Sequence, residues 1–317
     1  MHRCLEQPEP CSSHNCKPAE GITILKGAIE MSGCCLRLKE LMNTLTPKEQ
    51  QVAAFIVDFP EEVINMSIEQ LAAACGTSTS SVVRLCKSAD YSGYKDLCRA
   101  LSTDIALNQH DTVPYQDVRP GDSIESIIHR ACISNIKSIE NTQTLLNTDD
   151  LAHVVEAVVA AERVDFYGVG TSGIVALDAQ NKFMRINKTS MSGLDPHSQI
   201  LAATSLKQGD VAVLISYTGD TRDILETADV VRQTEATMVS ITRYSKNPLS
   251  GRADIRLYSS SSEPLIRSGA MGSRIGQLTV IDILYTSVVS HEYHTVKRYL
   301  DKTRLVSTKK HIGPFSP

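Results

Sequence analysis

Five short apolar runs, at residues 163–167, 189–192, 211–215, 237–241 and 255–258, constrain the fold of this chain more than any other feature. Each has the length of a strand, and most are separated by an amphipathic segment of about 10–15 residues with helical periodicity. Strands that alternate with helices predict an α/β three-layer domain, a parallel sheet flanked by helices on both faces. Two helical stretches, at about 123–146 and 150–161, lead into the first run.

The preceding region has a different period. From residue 36 to about 107 the pattern is helical throughout. Thr46-Pro47-Lys48-Glu49 reads as a helix start, with Thr as N-cap, Pro at the first helical position and Glu reaching back. Val52, Phe55, Ile56 and Phe59 then recur at helical spacing until Pro60. A second start follows at Ser67-Ile68-Glu69-Gln70, with Ile68, Leu71, Ala72 and Cys75 on one face. Gly76 stops that helix, and Ser78 can cap a third, with Val82, Leu85 and Cys86 inward. After Gly93 a fourth helix buries Tyr94, Leu97, Cys98, Leu101 and Ile105. Pro114, Pro120 and Gly121 among polar neighbours mark a linker. The expected organisation is a disordered leader at 1–35, an α-helical bundle at 36–110, a linker at 111–122 and the α/β domain at 123–310.

Two short helices joined by a turn of about three or four residues containing Gly form the helix-turn-helix unit. Here the small Ala72 and Ala73 allow a close crossing, while Val82 and Leu85 anchor the second helix. Ser78, Thr79, Ser80 and Ser81 at its N-terminal end are short hydrogen-bonding residues, followed by Arg84 and Lys87. A recognition helix reads base edges with its N-terminal residues and neutralises phosphates with nearby cations. Double-stranded DNA is therefore an expected partner, with Lys95 and Arg99 extending the basic strip. An ordinary helical hairpin with a solvated face is the plainer alternative. Charge does not decide it, since residues 36–110 hold seven Lys or Arg against nine Asp or Glu.

Composition removes several other classes. The net charge of −4 excludes a uniformly basic coat, so nucleic-acid contact has to come from a local patch. No stretch approaches the ~18 consecutive apolar residues of a membrane span, and residues 1–30 lack the apolar segment of a secretory signal. A soluble cytoplasmic protein is expected. The nine cysteines are odd in number and none follows Cys132, which argues against a disulfide framework. His2, Cys4, Cys11, His14 and Cys16 lack the paired spacing of a zinc site, so no metal is expected. Met31 is the alternative natural start.

Chemistry concentrates after two of the strands. Gly168-Val169-Gly170-Thr171-Ser172-Gly173 has the G-x-G-x-x-G spacing that brings backbone amides to a phosphate. A dinucleotide would also need an acidic residue ending the next strand, and residues 186–194 contain none. No cofactor is expected. Ser216-Tyr217-Thr218-Gly219-Asp220-Thr221 follows another strand and offers the hydroxyls of Ser216, Thr218 and Thr221 around Gly219. With free amides at a helix start this makes an anion cradle that needs no lysine. A ligand across the carboxyl edge of the sheet would meet Ser172 as well. Either loop alone could be a helix cap, but two at equivalent strand ends point to a small phosphorylated ligand. His197, Glu263, Arg267 and Arg274 are further polar candidates, each also readable as a surface residue.

The segments L-T-P-K-E-Q-Q-V-A at 45–53, S-I-E-Q-L-A at 67–72, S-S-V-V-R-L-C at 80–86 and S-G-Y-K-D-L at 92–97 occur in order with G-V-G-T-S at 168–172, S-Y-T-G-D-T at 216–221 and M-G-S-R-I-G-Q-L at 271–278. Together they resemble the RpiR-type bacterial transcriptional regulators, from about Leu38 to Arg304. The resemblance implies an N-terminal helix-turn-helix domain and a C-terminal sugar-isomerase (SIS) phosphosugar-binding domain. It implies ligand contacts at Ser172, Ser216, Thr218 and Thr221, and sugar-proximal roles for His197 and Glu263. It further implies a homodimer or homotetramer on a palindromic operator, regulating carbohydrate metabolism under control of a sugar phosphate. Residues 88–91, Ser-Ala-Asp-Tyr, depart from the Leu-Gly pair frequent in the family, and residues 1–30 have no counterpart there. The rival expectation is a sugar-phosphate isomerase or lyase with Glu263 as the base; the DNA-reading half favours a protein that is not an enzyme.

Overall fold

The structure, a computed structural model, describes residues 33–107, 121–260 and 270–308. The cluster His2, Cys4, Cys11, His14 and Cys16, most of the linker, and both Glu263 and Arg267 lie outside the described residues.

The first half consists of α1 (Cys34–Leu41), α2 (Pro47–Asp58), α3 (Pro60–Val63), α4 (Ile68–Ala74), α5 (Thr79–Ser88) and α6 (Tyr94–Leu107). Both predicted capping boxes form. The Glu49 carboxylate accepts from the Thr46 N–H at 3.0 Å, and the Ser67 N–H and Gln70 side chain pair at 2.7 Å. The apolar stripes meet in one core that includes Leu38, Val52, Ile56, Leu71, Val82, Leu85, Leu97 and Leu101. Its first helix starts at Cys34 and takes its cap from a distant residue. The Asp104 carboxylate on α6 accepts from the Gly33 N–H and, at 2.9 Å, from the Cys35 N–H.

The second half opens with α7 (Ile124–Leu145) and α8 (Thr148–Ala160), then runs β1 (Val164–Gly168), α9 (Thr171–Arg185), α10 (Pro196–Ala203), β2 (Val211–Ile215), α11 (Arg222–Val231), β3 (Thr237–Arg243), β4 (Ile255–Ser259), α12 (Met271–His291) and α13 (Tyr293–Thr308). The strands pair in parallel in the order β1-β2-β3-β4, with Val164 opposite Val211 and Val211 opposite Thr237. β1 and β2 are buried at every residue because both faces of the sheet are covered. Phe166, Val213, Ile241 and Leu257 face the side held by α8, α9, α12 and α13. Tyr167, Ala212, Leu214 and Met238 face Ala203, Ile224 and Ala228 of α10 and α11.

The expected strand at 189–192 is a correction. It lies along the outer edge of β1 but makes a single bridge, Arg163 to Thr189, with N–H bonds from Val164 to the Thr189 carbonyl and from Phe166 to the Met191 carbonyl, each 2.9 Å. A side chain holds it there in place of a longer ladder. Fully buried Asp165 accepts from the Met191 N–H at 2.9 Å, from the Tyr167 hydroxyl at 2.7 Å and from Arg163 Nη2 at 2.7 Å.

The two halves share packing. Tyr244, just after β3, and Leu145, the last residue of α7, belong to the core of the helical half. The Ser260 hydroxyl donates to the Glu40 carboxylate of α1 at 2.8 Å. No helix among the described residues is long and apolar enough to cross a membrane.

Candidate functional site

α4, a turn through Gly76 in the left-handed region (φ 58°), and α5 form the expected pair. The Ser78 hydroxyl caps α5 by accepting from the Ser81 N–H at 3.3 Å. Thr79, Ser80, Arg84 and Lys87 are exposed along one side of α5, as their spacing predicts. Ser81 is a correction: it is 3% exposed. Its hydroxyl sits 3.1 Å from Ser78 Oγ and accepts from Arg84 Nη2 at 3.2 Å, so it fixes the start of the helix and steadies Arg84. Val83 belongs to the exposed stripe, at 42%. The sequence reading passed over it, although an apolar residue on a polar face was the available signal. Such a side chain suits a thymine methyl in the major groove. On α6, Lys95 is exposed, and Arg99 shares its charge with Asp96 at 2.6 Å.

The second site lies where β1 and β2 end. The chain leaves β1 into α9 on one face of the sheet and leaves β2 into α11 on the other. Connections that diverge in this way open a crevice at the carboxyl ends of the strands. A cleft occupies that place, lined by Thr171, Ser172, Ser216, Thr218, Thr221 and Gln277 among others. Ser172, Ser216, Thr218 and Thr221 from the two predicted loops therefore come together in one cavity.

The glycines explain how the backbone gets there. Gly170 precedes α9 with φ 59°, and a Cβ on Gly173 would stand 2.9 Å from the Gly168 carbonyl oxygen, so α9 starts tight against the end of β1. Gly219 has φ 69°, and a Cβ there would fall on the side-chain amide of Asn247. Its N–H donates to Ser216 Oγ at 3.2 Å, which faces Thr221 Oγ1 at 3.3 Å. Thr218 donates to Asp220.

Helix starts give the cleft its polarity. α7, α8 and α10 begin on side-chain caps from Ser123, Asn147 and Asp195. α9, α11 and α12 have Gly170, Thr221 and Ala270 at the cap position, and none of these supplies a side-chain cap. The first residues of these three helices line the cleft. Their positive dipole ends converge on a space whose described walls carry hydroxyls and an amide but no charged side chain. Such a space suits an anion with oxygen acceptors.

Gln277 of α12 is a member that sequence reasoning missed. It is 1% exposed, its Nε2 lies 3.1 Å from Ser172 Oγ, and that hydroxyl reaches its Oε1 at 3.2 Å. The pair is 105 positions apart in the chain, and only the motif at 271–278 hinted at it. His197 and Arg274 are exposed and do not line the cleft.

Comparison with known proteins agrees with both halves. The helix-turn-helix domain of the rpiR family matches residues 33–108, and the SIS domain matches residues 158–287. An HTH-type transcriptional regulator of Caldanaerobacter subterraneus subsp. tengcongensis is 38% identical over 276 residues, 87% of this chain and 97% of that protein. The HTH-type transcriptional regulator HexR of Pseudomonas aeruginosa is 32% identical over 252 residues, 80% of this chain and 87% of its own. Among solved structures, the Vibrio vulnificus NanR protein complexed with ManNAc-6P is similar with a TM-score of 0.56 and 28% identity, over 88% of this chain and 100% of that one.

Proposed function

The chain belongs to the RpiR family of HTH-type transcriptional regulators, and from that premise we propose that a phosphorylated sugar in the β1–β2 cleft sets its affinity for operator DNA. The observation that carries the reading is the convergence of the N-terminal ends of α9, α11 and α12 on the hydroxyls of Ser172, Ser216, Thr218 and Thr221. The phosphate takes the helix starts and the loop around Gly219, while the sugar hydroxyls meet Ser172 and Gln277. NanR, with its bound sugar phosphate, supports this choice of ligand class.

On the DNA side, Thr79, Ser80 and Val83 read base edges, Arg84 and Lys87 hold phosphates, and Ser78 with Ser81 keeps the helix start in shape. A two-fold assembly would place two copies of α5 in successive major grooves of a palindromic operator. Support for self-association comes from α7, where Ile124, Ile128, Ile136 and Ile139 are 73%, 60%, 48% and 44% exposed along one flank. The ligand half, residues 123–310, then carries the assembly, and the linker at 111–122 joins it to the reading half at 36–110.

An isomerase or lyase needs a base near the sugar's α-proton. The helix-turn-helix domain matched over residues 33–108 favours the regulator. Thermal melts of the purified protein against a panel of sugar phosphates test the ligand: a binder at about 100 times its Kd adds about 2.7 kcal/mol of stability. Ser216→Ala should reduce that shift. Arg84→Ala should abolish operator binding without changing the melt. Catalytic turnover of any sugar phosphate in the panel would favour the enzyme.

A further inference from the structure

The cleft and the recognition helix are joined by one short piece of chain, residues 244–250. On one side this piece, together with the end of β3 before it, holds the ligand loop. Ser216 N–H donates to the Ile241 carbonyl at 3.0 Å, Arg243 N–H to the Tyr217 carbonyl at 2.8 Å, and Leu249 N–H to the Gly219 carbonyl at 2.9 Å. Asn247 fills the space a side chain on Gly219 would need. Its Nδ2 donates to Thr242 Oγ1 at 3.1 Å and to the Ser245 carbonyl at 3.0 Å, while its Oδ1 accepts from the Ser250 N–H at 2.8 Å. Asn247 therefore packs directly against Gly219 and is bonded on its other sides to Thr242, Ser245 and Ser250.

On the other side the same piece holds the end of α5. The Tyr244 hydroxyl donates to Asp90 Oδ2 at 2.9 Å and lies 3.3 Å from the Ala89 carbonyl oxygen. Asp90 has φ 63°, a left-handed conformation unusual for a residue with a side chain. It ends the recognition helix, its N–H on the Lys87 carbonyl and the next N–H, of Tyr91, on the Cys86 carbonyl. Burial, with Asp90 beside it, pushes the Tyr244 phenol up, so it stays a donor. A second cleft, lined by Ser88, Asp90, Tyr244, Asn247, Arg256 and Tyr258, lies beside the segment.

We propose that Asn247 and Tyr244 are positioning residues that transmit the state of the Gly219 loop to the last turn of the recognition helix, through the Tyr244–Asp90 hydrogen bond. The inference rests on the ligand reading above for its biological purpose, but its mechanics concern only this chain. Occupancy that displaces Gly219 moves Asn247, the turn at 244–245 follows, and the clamp on Asp90 loosens or tightens about one turn from Lys87 and two from Arg84. Coupling between two sites is a difference in affinity between two states and acts equally in both directions.

The test uses the full chain and first needs no ligand. In Gly219→Ala, hydrogen exchange at the amides of Ala89, Asp90 and Tyr91 should change at least about fivefold, the lower end of ordinary coupling. In Tyr244→Phe, which removes only the hydroxyl, adding Gly219→Ala should produce no further change there. Asn247→Ala should reproduce the effect if Gly219→Ala fails to fold. Altered exchange confined to residues 216–221 and 244–250, with residues 89–91 unmoved, overturns the link. A second arm adds glucose 6-phosphate, and separately inorganic phosphate, to the parent protein and to Tyr244→Phe. If either binds both proteins but changes operator affinity only in the parent, the link is supported; an equal change in both overturns it. If neither binds, the ligand reading loses its support, and the substitution arm still decides the link.

Discussion

At the scale of single residues, the molecule depends on polar side chains that tie together distant stretches of chain. Asp165 is one case: its buried carboxylate gathers neighbouring Arg163 and Tyr167 and reaches Met191, 26 positions away. Removing one partner of a buried charge network leaves the others uncompensated, so Asp165→Ala should cost about 3–5 kcal/mol in urea unfolding. A loss below about 1 kcal/mol would mean that the network contributes no more than an exposed ion pair. Such residues also mark where reading the sequence stops. Ser172, Ser216, Thr218 and Thr221 could be picked out because each sits in a local motif of glycine and hydroxyls. Gln277, Tyr244 and Asp104 could not, since their partners Ser172, Asp90 and Gly33 lie 105, 154 and 71 positions away. Ser81 failed for the opposite reason: its neighbours Thr79 and Ser80 are alike in chemistry, and only the turn of the helix puts it inside.

At the scale of elements, period and caps carried most of the information. Both capping boxes, the helix-turn-helix pair and the four strands of the sheet follow from local pattern. The segment at 189–192 does not become a full strand because edge pairing is decided by contacts such as Asp165 to Met191, which periodicity does not encode. α5 presents Thr79, Ser80, Val83, Arg84 and Lys87 on one side, and their proposed division of labour is measurable. Lys87→Ala should weaken all DNA sequences alike and reduce the slope of log K against log salt by about 1. Val83→Ala should leave that slope unchanged and relax preference at one base pair, by about 1–3 kcal/mol at most. Titrations of operator and scrambled duplex at several salt concentrations separate the two, and a salt slope that fell in Val83→Ala would contradict the assignment.

At the scale of the whole molecule, the contact between the halves includes an acid under strain from its surroundings. Burial pushes the Glu40 carboxyl above its ordinary 4.5, opposed by the Ser260 hydroxyl and the Arg243 guanidinium. A folded-state value above the unfolded one means that the protonated form stabilises the fold. That contribution is fully present below the unfolded value and is lost as pH rises through the folded one. Glu40→Gln keeps an acceptor for Ser260 without the charge. Its melting temperature should match the parent below the ordinary carboxylate range and exceed it once the pH rises through the raised folded-state value, then level off. Parallel curves across that range would refute the assignment. The cleft behaves differently, because its described walls hold no group that titrates near neutrality. If the proposed sugar phosphate is the effector, its own second ionisation at about pH 6 should give its affinity an acidity dependence between about pH 5 and pH 7. Orthophosphate and sulfate in a buffer would be competitors for the same seat. On the proposed reading, the regulator in a cell would respond to the ratio of esterified to free phosphate as much as to the abundance of any one sugar.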